Sequence, residues 1–133
     1  MKFILEERRL PVQAKVIYEI EIDVKGKNFY YIGKSQNLKS RFGLRLKTPT
    51  DSVMVFMKEH NVSEAKVRIL EVVQHCFSGV NINARERLCI NYYNENFNII
   101  NKLIPRLRGD ENWKNFENSV TSVFKRTKKI KGK

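Results

Sequence analysis

Five side chains in this sequence are of types that handle phosphate and metal chemistry: Tyr18, Tyr31, Lys34, Arg41 and Glu86. Hydrolysing a phosphodiester requires a positioned water, charge stabilisation at phosphorus and relief for the leaving oxygen. A phenol can hold or deprotonate the water. Lys34 offers a point charge and Arg41 a planar fork, both suited to phosphate oxygens. The Glu86 carboxylate is a hard oxygen ligand for a divalent cation. Gly33, just before Lys34, leaves room for a phosphate or another backbone to approach. Each group also has an ordinary alternative. Aromatic residues are common in strands, so the tyrosines can equally pack in a core beside an exposed arginine. Asn83-Ala84-Arg85-Glu86 spells a capping box in which Glu86 only reaches back to Asn83. From local pattern both readings stay open.

The elements that must position these residues are legible from periodicity. Lys15–Val24 alternates, with Val16, Tyr18, Ile20, Ile22 and Val24 on one side and Glu19, Glu21 and Asp23 on the other. It reads as a half-buried strand with one wet face. Lys25-Gly26 signals a turn, and Asn28–Gly33 a second strand, so the pair forms a hairpin. With those two turn residues Tyr18 faces Gly33 and Tyr31 faces Ile20. The two tyrosines then share a face as diagonal neighbours, roughly 7–8 Å apart. A one-residue slip would separate them.

Ser35 is placed to cap a helix running to about Leu46, with Leu38, Phe42 and Leu46 as its buried stripe. Asp51 caps a second helix through about His60. Glu64–Val73 alternates as a third strand, Asn83–Asn94 forms a helix, and Phe97–Asn101 is extended or irregular. On the helical wheel Glu86 falls inside the apolar arc, between Ile90 and Tyr93, although Arg85 does too. The expected class is α+β: a small three-stranded mixed or antiparallel sheet flanked by helices. Residues 1–14 form an N-terminal arm or added strand, and 15–104 the main domain. Residues 105–124 contain an amphipathic helix with Trp113, Phe116, Val120 and Val123 on one side, which covers the sheet or forms a dimer seam. Residues 125–133 are a basic, disordered tail.

Charge narrows the class of partner. The 133 residues carry 26 basic and 14 acidic side chains, a net charge of +12. Residues 1–100 hold 16 basic and 11 acidic groups, and residues 101–133 hold 10 and 3, so the excess is not confined to the tail. Such a balance favours a polyanion, because each phosphate neutralised releases counterions; a solubilising surface is the plainer alternative. Cys76, Cys89, His60 and His75 lack the spacing of a structural zinc site. The two cysteines read as buried hydrophobes or free thiols. No window is apolar enough for a membrane span and no signal peptide opens the chain, so a cytoplasmic location without membrane association is expected.

The order of the whole set carries more than its parts. Val16-Ile17-Tyr18 is followed by Tyr31-Ile32-Gly33-Lys34, Arg41, Glu86 and then Asn98. This resembles the GIY-YIG nucleases, whose signature is two such tripeptides, a helix arginine, a metal-binding glutamate and a late asparagine. The resemblance spans about residues 16–101 and is nearest to small stand-alone members, which also accept valine at the first motif position. It implies a metal-dependent DNA endonuclease of phage or mobile-element, restriction or repair type, with no small-molecule cofactor. By the same resemblance, Tyr18 and Tyr31 line the site, with Tyr18 the first choice to activate the water. Lys34 and Arg41 stabilise the scissile phosphate. Glu86 is the sole protein ligand of one Mg2+ or Mn2+ ion per site, and Asn98 is the structural asparagine.

Lys34, Arg41, Arg45, Lys47, Lys128 and Lys129 are the expected DNA contacts. Arg45 stands where some members carry a further tyrosine or histidine. Lys34 and Arg41 near a phenol would lower its pKa toward that of a usable base. A homo-oligomer through the C-terminal helix would allow a double-strand cut. Two other readings account for part of the pattern: a catalytically silent nucleic-acid-binding module of the same fold, and a basic protein binding an acidic protein partner.

Overall fold

The computed structural model describes residues 1–5, 15–73 and 82–109. Their elements are β1 (Lys2–Leu5), β2 (Lys15–Val24), β3 (Lys27–Ser35), α1 (Leu38–Leu46), α2 (Ser52–Glu59), β4 (Glu64–Val73) and α3 (Ile82–Asn96). The class is α+β, and the strands form one mixed sheet in the order β1-β4-β2-β3. The expectation of three strands is corrected to four among the described residues. The N-terminal segment supplies the addition, pairing Lys2–Leu5 parallel to Glu64–Val67. No helix among the described residues is long and apolar enough to cross a membrane. The expected C-terminal helix, its dimer seam and the basic tail lie outside the described residues.

The β2–β3 hairpin has the register its turn demands. Lys25 and Gly26 both adopt positive φ, 53° and 87°, the conformation of the two-residue turn whose twist matches a hairpin. The Asp23 carboxylate accepts a hydrogen bond from Gly26 N at 2.7 Å. Tyr18 consequently pairs with Gly33 and Ile20 with Tyr31.

The sheet is covered on both sides. Val16, Tyr18, Ile20 and Ile22 pack with Leu38 of α1, Val53 and Met57 of α2, and Ala65 and Val67 of β4. Ile17, Tyr30 and Ile32 pack with Leu70 and with Cys89, Ile90, Tyr92, Tyr93 and Phe97 in and after α3. Cys89 is a free, buried thiol. The expected wet face of β2 is corrected at Glu19, which is fully buried, while Asp23 is exposed. β2 is an inner strand with α3 over that face, which alternation alone does not reveal. The Glu19 carboxylate is compensated by Arg68, its cross-strand partner on β4, at 3.8 Å, as a buried charge requires.

The α1 helix departs from expectation in two places. Its N-cap is Asn37, whose side chain accepts from Ser40 N. Ser35 belongs instead to β3, and its hydroxyl accepts from Asn37 N. The inward stripe is Leu38, Phe42 and Arg45, not Leu46, which is 44% exposed. A seven-residue step keeps a side chain on the same face of a helix better than an eight-residue one. Assuming that an arginine must point outward caused the error.

β3 would be an open sheet edge without the segment after α3. Tyr30 N donates to Asn98 O at 2.9 Å and Ile100 N donates to Tyr30 O at 2.8 Å. Asn101 continues the cover with its side chain. Its Oδ1 accepts from Ile32 N at 3.0 Å, and its Nδ2 donates to Ile32 O at 2.9 Å. An unpaired edge is thereby closed.

Candidate active site

The motif residues gather around the end of β3, where side chains alternate between the two sheet faces. Tyr31 and Gly33 point toward the α1–α2 side. Lys34, the next residue, points toward α3.

On the α1–α2 side the ring centroids of Tyr18 and Tyr31 are 6.5 Å apart, close to the diagonal spacing the hairpin register implies. Tyr18 is 1% exposed. Its hydroxyl accepts from Arg45 Nη2 at 2.9 Å, and its ring meets Phe42 edge-on at 5.3 Å. Gly33 lies directly beneath: a methyl group there would overlap the Tyr18 hydroxyl and its ring carbon. The glycine thus admits a neighbouring side chain, not a ligand.

Arg45, expected as a DNA contact, is fully buried. Its Nη1 donates to Asp51 Oδ1 at 2.9 Å, and its guanidinium lies over the Tyr31 ring at 4.9 Å. Its assignment to the DNA-facing surface is corrected, because no face of it reaches solvent. Arg41 stays at the surface, with Nη2 3.9 Å from Asp51 Oδ2.

Asp51 is the residue that sequence reasoning undervalued. Besides accepting from Val53 N and Met54 N as the cap of α2, it holds Arg45 and faces Arg41. Its only sequence signal was a cap position, which does not reveal a second partner.

The phenol chemistry is also corrected. Burial pushes the Tyr18 pKa above its ordinary value, and the opposing effect of Arg45, with a smaller one from Arg41, does not reverse it. Positive neighbours lower a phenol pKa only when they outweigh desolvation. Tyr18 is therefore closed off both by solvent exclusion and by its bond to Arg45. Tyr31 is less buried than Tyr18, and Arg45 engages its side chain as well.

On the α3 side Lys34 Nζ donates to Asn83 Oδ1 and stands 3.9 Å from Glu86 Oε1. Asn83 lies one residue inside α3 and turns its side-chain oxygen to Lys34. Glu86 faces the same ammonium group, and its side chain is 22% exposed. Burial raises its pKa and Lys34 partly offsets that rise. Arg85, which shared its arc on the wheel, is occupied by Glu71: its Nε donates to both carboxylate oxygens at 2.9 and 3.0 Å.

Among the described residues no group of three or more His, Cys, Asp or Glu side chains is placed to hold a metal. A single partly buried carboxylate does fit a magnesium ion that keeps most of its waters and takes further oxygens from a phosphate.

The remaining expected residues separate clearly. Asn98 contributes a main-chain carbonyl to Tyr30, while the bracing side-chain bonds belong to Asn101, three residues on. Five asparagines between Asn91 and Asn101 made that choice invisible in sequence. Lys47 is exposed at the C-cap of α1. Lys128, Lys129, Cys76 and His75 lie outside the described residues. A scan against protein-family models and searches of curated proteins and solved structures returned no match.

Proposed function

We propose that this chain is a metal-dependent DNA endonuclease of the GIY-YIG type. The observation that carries the reading is the meeting of Lys34 and Glu86 at 3.9 Å. These are two motif residues from distant parts of the chain, brought to the end of the strand that also carries Tyr31. The net charge of +12, the exposed Lys34 and the half-buried Arg41 suit a phosphate backbone. Glu86 would hold one Mg2+ or Mn2+ ion, which when bound supplies Lewis-acid stabilisation of oxygen charge.

The chain's own residues do the rest. Arg41, held toward Asp51, presents its fork to non-bridging phosphate oxygens. Lys34, which faces Glu86 at 3.9 Å, would turn its ammonium group to a phosphate oxygen. Tyr31 orients the attacking water with its hydroxyl. Tyr18 and Arg45 fix the floor on which Tyr31 stands. In this scheme Tyr31→Phe slows cleavage far more than Tyr18→Phe does at temperatures where both are folded.

Closure of Tyr18 under Arg45 favours one second reading, a silent nucleic-acid-binding module of the same fold. The deciding experiment is cleavage of supercoiled plasmid by the purified protein with magnesium, beside an EDTA control and Glu86→Ala. Metal-dependent nicking or linearisation abolished by Glu86→Ala supports the nuclease. A gel shift without any cut selects the silent module.

A further inference from the structure

A second concavity opens beside Lys34 on the sheet face that carries α3. Its volume is about 340 Å3, and Lys15, Lys34, Ser35, Gln36, Ile82 and Asn83 line it. The size lies at the lower end of ligand pockets, roughly 300–1,000 Å3. Hairpin register explains why these residues meet. Val16 pairs with Ser35 and Ile17 with Lys34 at the end of the β2–β3 ladder. Lys15 is the residue before the last ladder pair and shares a sheet face with Ile17, the partner of Lys34. Lys15 and Lys34 therefore meet in one lining, at a diagonal spacing of roughly 7–8 Å.

Among the described residues the lining holds two ammonium groups and no carboxylate. Like charges at this separation repel, and an anion between them relieves the repulsion. Ser35 and Asn83 add short polar groups, the exposed Gln36 adds an amide donor and acceptor, and Ile82 gives one apolar wall. Lys34 belongs both to this pocket and to the Glu86 pair. Lys34 would therefore stand between a phosphate at Glu86 and one in this pocket.

We propose that this pocket binds the backbone phosphate adjoining the scissile one on the same DNA strand, held by Lys15 and Lys34, with the Gln36 amide against the neighbouring nucleotide. The choice of ligand rests on the nuclease reading; the place of the pocket rests on geometry alone. A phosphate held here fixes the register of the strand over Glu86 without reading base sequence.

The test uses the full chain, isotopically labelled, titrated with deoxythymidine 3′,5′-bisphosphate in EDTA at low salt and followed by amide NMR. The pocket predicts saturable shifts at Lys34, Ser35, Gln36 and Asn83. Lys15→Ala should weaken binding about tenfold, the loss expected for one charge-assisted bond, and Lys15→Arg should restore it. With duplex DNA, Lys15→Ala should lower the salt dependence of affinity by about one phosphate contact. Bisphosphate binding unchanged in Lys15→Ala, or shifts confined to the Tyr31–Arg41 face, would overturn the proposal. The two readings fail separately. Plasmid cleavage with no Lys15 effect removes the pocket and keeps the nuclease. Lys15-dependent bisphosphate binding by a protein that never cuts keeps the pocket as a nucleic-acid site and removes the nuclease.

Discussion

Two sides of one strand end are built in opposite ways. Toward α1 and α2, the polar groups are buried and bonded to one another: Tyr18 to Arg45, Arg45 to Asp51, and Asp51 to the first turn of α2. Toward α3, Lys34 and Glu86 stand partly in solvent at 3.9 Å, and Asn83 completes the cluster. A buried ion pair with short bonds resists rearrangement, because separating it leaves an uncompensated charge in low dielectric. An exposed pair at longer range contributes little stability and exchanges partners readily. The buried network suits a scaffold, and the exposed pair suits a cation and a phosphate. Motif membership alone gives Tyr18 and Glu86 equal standing; burial separates them.

Removing the scaffold's charge should produce the largest loss of stability. Arg45→Leu leaves Asp51 without its closest cation and Tyr18 without its donor. It should cost about 3 kcal/mol in denaturant unfolding. A loss under ~1 kcal/mol would mean that the buried side is not the scaffold.

Gly33→Ala sharpens the same point through packing alone, since the added methyl collides with the Tyr18 hydroxyl held by Arg45. Overpacking of this kind should cost about 2 kcal/mol, read from the same unfolding curves. In the Tyr18→Ala background the penalty of Gly33→Ala should largely vanish.

The smallest effect concerns pH on the α3 side. Burial raises the Glu86 pKa and Lys34 restrains the rise. Only the carboxylate form can hold a cation, so cleavage should fall as pH drops through that raised value, above the ordinary 4.5. Lys34→Met removes the restraining charge. Its slower residual cleavage should lose activity at a still higher pH, and a limb displaced to lower pH would contradict the Lys34–Glu86 coupling. The sign for stability is opposite to that of an ordinary salt-bridged carboxylate. A group that binds its proton more tightly when folded loses stability as pH rises from its unfolded to its folded pKa.

The local elements behind this contrast were legible in the sequence, the contrast itself was not, and the failures share a cause. The hairpin register followed from two turn residues, and β2 and β4 from period-two alternation, because those signals are local. The sheet order was not legible. That β2 is an inner strand depends on β4 pairing along the edge opposite β3, and α3 over that face buries Glu19 against the polar reading. Arg45 was misplaced for the same reason: its charge suggested solvent, while Asp51 and Tyr18 awaited it inside. Asn98 was preferred to Asn101 although only the backbone path after α3 distinguishes them. Lys15 carried no signal at all until the fold set it beside Lys34 in one pocket.

The central claim is that Glu86 on the α3 side holds the cation while the buried Tyr18–Arg45–Asp51 network holds the fold, and Glu86→Gln tests it most directly. The substitution keeps shape and removes the charge that would hold a cation. The quantity to measure is the single-turnover cleavage rate on saturating duplex with magnesium, alongside the melting temperature of the same sample. The account predicts a rate loss of about a thousandfold with melting unchanged within ~2 °C. A rate within ~tenfold of the parent, or a collapse of the fold, would contradict it.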